Sequence, residues 1–190
     1  MPLPRCCGVD AELKKPETAR VFFALWPDEP ARKMLAQWTR LLHERCGGRK
    51  TRPDTIHLTL VFLGDVPLAR IEEIKRMADE VSVAEFDWTL DLARCWRHNK
   101  IVWAGSSNVP AELSELVGQL ETRLRGAGFA LELRPYVPHV TLLRHARCDA
   151  ELPALPPVAW PAQEFVLAQS VLKESGSEYA VIGRWPLQPQ

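Results

Sequence analysis

The chain has no apolar run approaching the roughly 20 residues that a membrane-spanning helix needs, and no C-x-x-C pair occurs anywhere in its 190 residues. Its first stretch, MPLPRCCGVDAELKKPETA, has no apolar centre and does not read as a secretory signal. Excess charge of either sign is missing as well. Lys plus Arg and Asp plus Glu come to 24 each. That balance argues against wrapping nucleic acid on a broad basic face, yet it leaves room for gripping one phosphate at a chain end. Cysteines are few and odd in number: Cys6, Cys7, Cys46, Cys95 and Cys148. Without zinc-knuckle spacing, the expectation is reduced thiols in a cytoplasm, with Cys46 in a structural role.

Hydrophobic residues make up 46% of the chain and charged residues 25%, which is ordinary for a globular protein. The length suits one large domain or two small lobes sharing a core. Residues 1–18 mix charges with scattered prolines and are expected to be a flexible extension. Residues 19–187 are expected to form a single bilobal α+β domain.

Periodicity supplies the elements. ARVFFALWP (Ala19–Pro27) reads as a buried strand. A helix should follow, capped by Asp28, opened by Pro30 and stopped by Gly47–Gly48. Its predicted apolar stripe is Met34, Leu35, Trp38, Leu41 and Leu42. Thr55–Asp65 reads as a strand, and 68–81 as a helix with Ile71, Ile74 and Met77 inward. Phe86–Trp96 alternates as one strand and Ile101–Ser107 as the next. Pro110 to about Arg125 should be helical, ended by glycines, and Tyr136–His145 should be a strand. ELPALPPVAWP reads as a proline-rich crossing loop. The last two apolar runs form a hairpin around Ser175–Ser177.

Within this layout one phrase is written twice. RPDTIHLTL (Arg52–Leu60) and RPYVPHVTL (Arg134–Leu142) agree at five of nine positions. A strand and a helix precede each copy. Val21 stands 36 positions before His57, and Ile101 stands 38 before His139. The spacing predicts two similarly built lobes related by a pseudo-twofold axis, each donating one His-x-Thr strand.

On a strand, residues i and i+2 share a face. His57 and Thr59 therefore point one way, as do His139 and Thr141, while their apolar neighbours pack inward. Two imidazoles facing a cleft suit acid–base work near neutral pH, one neutral and one protonated. Threonine hydroxyls beside them can donate to an anion. A phosphodiester needs an attacking oxygen, a leaving oxygen and stabilised oxygens between. Neither histidine has a carboxylate or thiol at ligand spacing, so neither a metal nor another cofactor is expected. The residues alone leave open which histidine is acid and which is base.

The paired His-apolar-Thr-apolar strings, with VFFALWP, HLTLVFLGDV, RPYVPHVTLLR and YAVIGRWPL around them, resemble the two-histidine phosphoesterases. Among these the chain is most similar to the bacterial RNA 2′,3′-cyclic phosphodiesterases of the 2′-5′ RNA ligase family. The resemblance covers about Ala19 to Leu187. It implies duplicated β-α-β lobes with two antiparallel sheets lining a central cleft. It implies hydrolysis of RNA 2′,3′-cyclic phosphate ends to 2′-phosphomonoesters, with reversible 2′-5′ ligation as a side reaction. His57 would be the proton donor and His139 the acceptor. Thr59, Thr141 and Arg144 would hold phosphate oxygens, and Phe62 would stack on the terminal base. The partner implied is an RNA 3′ end bearing a cyclic phosphate, met by a monomer away from any membrane. A cyclic phosphate on a small nucleotide or on ADP-ribose is an alternative substrate. A nucleotide-binding module without turnover is a third reading.

Other residues carry weaker signals. His43 and His98 are expected in solvated positions, and His145 at the rim of the site. Arg52 and Arg134 are expected to secure their lobes ahead of each strand. Arg123 and Arg125 belong to a solvated helix face or to a basic rim. Trp26, Trp38, Trp88, Trp103 and Trp185 are expected in the core.

Overall fold

A computed structural model describes residues 17–148, 151–173 and 176–189. Most of the expected N-terminal extension, residues 1–16, lies outside the described residues, as does part of the turn expected at 175–177. The order is β1 (Thr18–Leu25), α1 (Glu29–Cys46), β2 (Arg49–Lys50), β3 (Leu58–Pro67), α2 (Ile71–Asp79), β4 (Phe86–Leu90), β5 (Leu92–Trp96) and β6 (Ile101–Gly105). Then come α3 (Ala111–Gly126), β7 (Val140–Arg144), β8 (Val158–Ala162), β9 (Glu164–Lys173) and β10 (Gly176–Pro186).

The named strands all pair antiparallel. The main sheet runs β10-β9-β1-β3-β7-β6-β5, with β2 added on β7. It is two four-stranded halves, β10-β9-β1-β3 and β7-β6-β5 with β2. They meet at one register pair, Leu58 opposite Val140. β4 and β8 form a separate two-stranded sheet. The fold is thus α+β, with antiparallel halves built on β1-α1-β3 and β6-α3-β7. The helices are exchanged: α1 packs against β7 and β8, while α3 packs against β3 and α2. Each lobe therefore covers its apolar strand faces partly with the other lobe's helix.

Local chemistry accounts for α1. Asp28 accepts a hydrogen bond from the Ala31 amide at 2.9 Å, and Gly47 stops the helix at φ 58°. Ala31, Leu35, Trp38, Leu42 and Cys46 are buried, but Leu41 is 47% exposed. The predicted stripe erred there, since 3.6-residue periodicity carries 35, 38 and 42 inward and turns 41 outward.

Two strand assignments also change. Phe86–Trp96 is two strands, because the Asp91 carboxylate is taken up by the Ser107 amide and hydroxyl, and the chain passes from one sheet to another there. The proline-rich segment contains β8, whose Trp160 pairs with Trp88 across β4, ring centroids 5.6 Å apart. Its proline at 161 sits in a sheet of only two strands, each an edge that needs no donor on its outer side.

The expectation of reduced thiols is overturned for two cysteines. Cys46, at the end of α1, and Cys148, beyond β7, form a disulfide across 102 residues of sequence. No spacing rule detects a pair brought together by the helix exchange. Cys95 is a free thiol.

Leu58 is fully buried at the seam between the halves. Leu58→Ala should cost about 2–5 kcal/mol in urea unfolding, as large-to-small core changes do. A thiol reductant should lower the melting temperature of the wild type and leave that of Cys148→Ser unmoved.

Candidate functional site

The seam that joins the halves also builds the site. Antiparallel register around Leu58 and Val140 sets His57 across from Thr141 and Thr59 across from His139. The alternation of the strand then puts all four side chains on the face opposite the buried Leu58, Leu60, Val140 and Leu142. They line one cavity of about 660 Å³, together with Arg144 and Phe62. Every residue singled out from the sequence for this site is therefore on its wall.

The two imidazoles are held alike. His57 Nδ1–H donates to the Thr55 carbonyl at 2.8 Å, and His139 Nδ1–H donates to the Val137 carbonyl at 2.8 Å. Each bond reaches back two residues, so it belongs to the repeated phrase itself. With Nδ1 committed as donor, Nε2 is left as the acceptor in the neutral ring. His57 Nε2 accepts from the Thr59 hydroxyl at 3.1 Å. His139 Nε2 has no partner among the described residues.

Aromatic rings surround both histidines. Trp26 stacks on His57 at 5.2 Å between centroids and an interplanar angle of 20°. Phe22 and Tyr179 close two further sides, at 5.0 and 5.1 Å. Trp96 meets His139 edge-on at 4.6 Å, and Trp103 lies beyond it at 6.2 Å. Trp26 is half-buried against this ring rather than in the core as expected, whereas Trp38, Trp88 and Trp103 are core residues. Burial is the main cause of low histidine basicity here. It holds His57 down at about 4, with Arg144 and His139 adding to the effect and the Thr55 carbonyl opposing it. His139 is lowered in the same direction, again chiefly by burial, with Arg134 and Arg144 contributing.

The remaining wall is basic. Arg20, Arg49, Lys50, Arg52 and Arg144 line the cavity, and among the described residues no Asp or Glu does. Arg144 stands exposed at the end of β7. Phe62 is 39% exposed, and the Arg20 guanidinium lies over its ring at 5.1 Å from the centroid. His145 is exposed on the rim, as expected. Arg52 pairs with Asp54 and also lines the cavity, while Arg134 pairs with Glu132. Arg123 and Arg125 pair with Glu80 and Glu121, which makes them a helix face and no part of the basic wall. His43 is half-buried and bonds the Gly48 carbonyl at 3.1 Å.

Sequence reasoning missed Trp26, Tyr179, Trp96, Arg49 and Lys50. A tryptophan just past the first strand carried a signal, since Val21–Leu25 is buried throughout and Trp26 is the first residue beyond that run. Tyr179 and Trp96 had none, because only sheet order brings them near. Tyr136 was placed within a strand but precedes it. Its hydroxyl donates to the Thr59 carbonyl at 3.1 Å, and burial pushes its basicity upward. Among the described residues no three His, Cys, Asp or Glu side chains are grouped to hold a metal ion. No helix there is long and apolar enough to cross a membrane.

Duplicated lobes with one tethered histidine each agree with the resemblance to the two-histidine phosphoesterases. The LigT-like phosphoesterase family model matches this chain twice, over residues 25–103 and 104–176. The chain belongs to the LigT-like phosphoesterase family, and the double match follows its internal duplication. It is 30% identical over 175 residues to the RNA 2′,3′-cyclic phosphodiesterase of Escherichia coli, covering 90% of this chain and 98% of that one. It is 27% identical over 188 residues to the enzyme of that name from Thermus thermophilus, covering 89% and 90%. The crystal structure of E. coli LigT complexed with 3′-AMP superposes with a TM-score of 0.83 at 30% identity, covering 90% of this chain and 99% of that one.

A histidine held near pH 4 when folded and titrating near 6.5 when unfolded gives stability a direction. Between those values the unfolded chain takes up a proton that the folded one refuses, so stability falls as pH drops from about 6.5 towards 4. The His57 contribution should reach about 3 kcal/mol at most. Denaturant titrations at pH 7, 5 and 4 should show this slope, and His57→Asn should flatten it.

Proposed function

We propose that the protein hydrolyses RNA 2′,3′-cyclic phosphodiester ends to 2′-phosphomonoesters, with His57 and His139 as the acid–base pair. One observation carries the reading: two imidazoles, each with Nδ1 tied to a carbonyl at 2.8 Å, leave Nε2 as the working nitrogen on one basic cavity. The names of the relatives support the substrate.

The phosphate sits between the rings. His139 Nε2 takes a proton from water as the water oxygen bonds to phosphorus. The bond from phosphorus to O3′ breaks, and His57 Nε2–H delivers its proton to the departing O3′. Thr59, Thr141 and Arg144 hold the non-bridging oxygens, Arg144 through its paired donors. In the free protein His57 is neutral and its Nε2 accepts from Thr59. The substrate anion offers Thr59 a better acceptor and raises the basicity of His57. Solvent returns the proton from His139 to His57 after turnover. With a 5′-hydroxyl in place of water, the same steps, bonding of its oxygen to phosphorus and departure of O3′ with the His57 proton, form a 2′-5′ link. Among the described residues no carboxylate or thiol joins the histidines in a group that could hold a metal, and the chemistry is assigned to these side chains. Phe62 provides an exposed ring for the terminal base.

The protein is read as a single bilobal domain working as a cytoplasmic monomer. A small cyclic nucleotide or an ADP-ribose cyclic phosphate is the second reading. The solved complex of E. coli LigT with a mononucleotide, 3′-AMP, favours keeping it.

His57→Ala and His139→Ala should each reduce kcat on a short RNA ending in a cyclic phosphate by at least about 10²-fold. EDTA should leave turnover unchanged, and the product should be the 2′-monoester. Full activity in either variant would falsify the mechanism.

A further inference from the structure

The basic wall holds a feature that the reaction itself does not use. β2 is two residues long, and its Arg49 pairs directly with Arg144 on β7. On the other side of Arg144 stands Ile101 of β6, and all three residues line the cavity. Directly opposed side chains have Cβ atoms about 4.5–5.5 Å apart, and like charges so placed repel. Several cations elsewhere are neutralised. Lys33, Arg70, Lys75, Arg123, Arg125, Arg134 and Arg184 each face a carboxylate. Among the described residues Arg49, Lys50 and Arg144 have no carboxylate partner.

The backbone is shaped to keep this pair together. Gly48 adopts φ +85°, and a side chain there would meet the Arg144 carbonyl at 2.6 Å and Ala146 at 2.9 Å. Only glycine lets the chain leaving α1 press this closely on β7. The Thr51 amide donates to the Leu142 carbonyl at 2.8 Å, and the Arg147 amide to the Cys46 carbonyl at 2.8 Å. The Cys46–Cys148 disulfide closes the same corner. Two arginines at directly opposed strand positions, on a concave wall that no described carboxylate lines, form an anion site.

We propose that Arg49, with Lys50 beside it, is a second phosphate subsite next to Arg144. Resting on the proposed reaction, it takes the phosphate on the 5′ side of the ribose whose cyclic phosphate is opened. Arg144 serves the reacting phosphate and Arg49 its neighbour. The ligand chemistry is a phosphate mono- or diester one nucleoside away, and it comes either from the next link of an RNA chain or from the 5′-phosphate of a small nucleotide.

Kinetics on three 2′,3′-cyclic phosphates test this: adenosine, 5′-phosphoadenosine and the dinucleotide cytidylyl-adenosine. Arg49→Ala should raise KM about tenfold on a substrate carrying the second phosphate, the loss expected for one charge-assisted hydrogen bond. On the adenosine compound the rise should be under about threefold. Loss confined to the dinucleotide names an RNA chain as the source, and loss on 5′-phosphoadenosine as well names the phosphate alone. The slope of log KM against log salt for the dinucleotide should fall by about 0.7 in the variant. Arg49→Lys should restore part of the binding. Equal KM increases on all three substrates would overturn the subsite, as would no change on any. If the wild type turns over none of them, the reaction assigned above fails and the subsite is read by calorimetry. Adenosine 3′,5′-bisphosphate should then bind the wild type more tightly than adenosine 3′-monophosphate, and Arg49→Ala should erase the difference. Equal affinities in the wild type would overturn it.

Discussion

One antiparallel contact, Leu58 against Val140, supports most of what is specific to this protein. The two halves of the main sheet touch in register only there. Because side chains alternate on a strand, pairing those two apolar residues inward turns His57, Thr59, His139 and Thr141 outward together. A slip of one residue would bury four polar groups and expose the apolar set. The core and the site therefore share one constraint, and hydrophobic burial at the seam fixes the relation between the two imidazoles.

The surroundings then make equivalent residues unequal. Both histidines are tied through Nδ1 to a carbonyl two residues back. His57 is enclosed by Trp26, Phe22 and Tyr179, while His139 meets Trp96 and Trp103 edge-on. Desolvation lowers both, and His57 reaches about 4. A duplicated scaffold supplies symmetry, and the aromatic residues outside the duplicated phrase break it. The separate acid and base roles proposed for them call for unequal histidines.

Much of the fold was legible because it rests on short-range rules. The cap at Asp28, the glycines at 47–48 and the alternation around His57 act within a few residues. Failures occurred where distant segments decide. Asp91 divides one apparent strand because Ser107, from beyond the next strand, takes its carboxylate. Residues 158–162 form a strand by pairing with Phe86–Leu90, which sets Trp160 opposite Trp88. Leu41 was misplaced by reading adjacent leucines as one stripe, where helical geometry admits only the second. Cys46 and Cys148 join because α1 of one half crosses under β7 of the other.

The repeated Arg-Pro-x-x-x-His-x-Thr phrase determined the duplication, the identity of the paired histidines and threonines, and the tether of each ring to a carbonyl two residues before it. These follow from spacing along the chain, since a strand's pleat and a two-residue hydrogen bond are local geometry. Tertiary structure alone decided that Trp26 and Tyr179 enclose His57, that Arg49 stands against Arg144, and that Cys46 meets Cys148. Those contacts join residues far apart in sequence. Their energies come from burial and charge brought together only when the sheet halves and exchanged helices close.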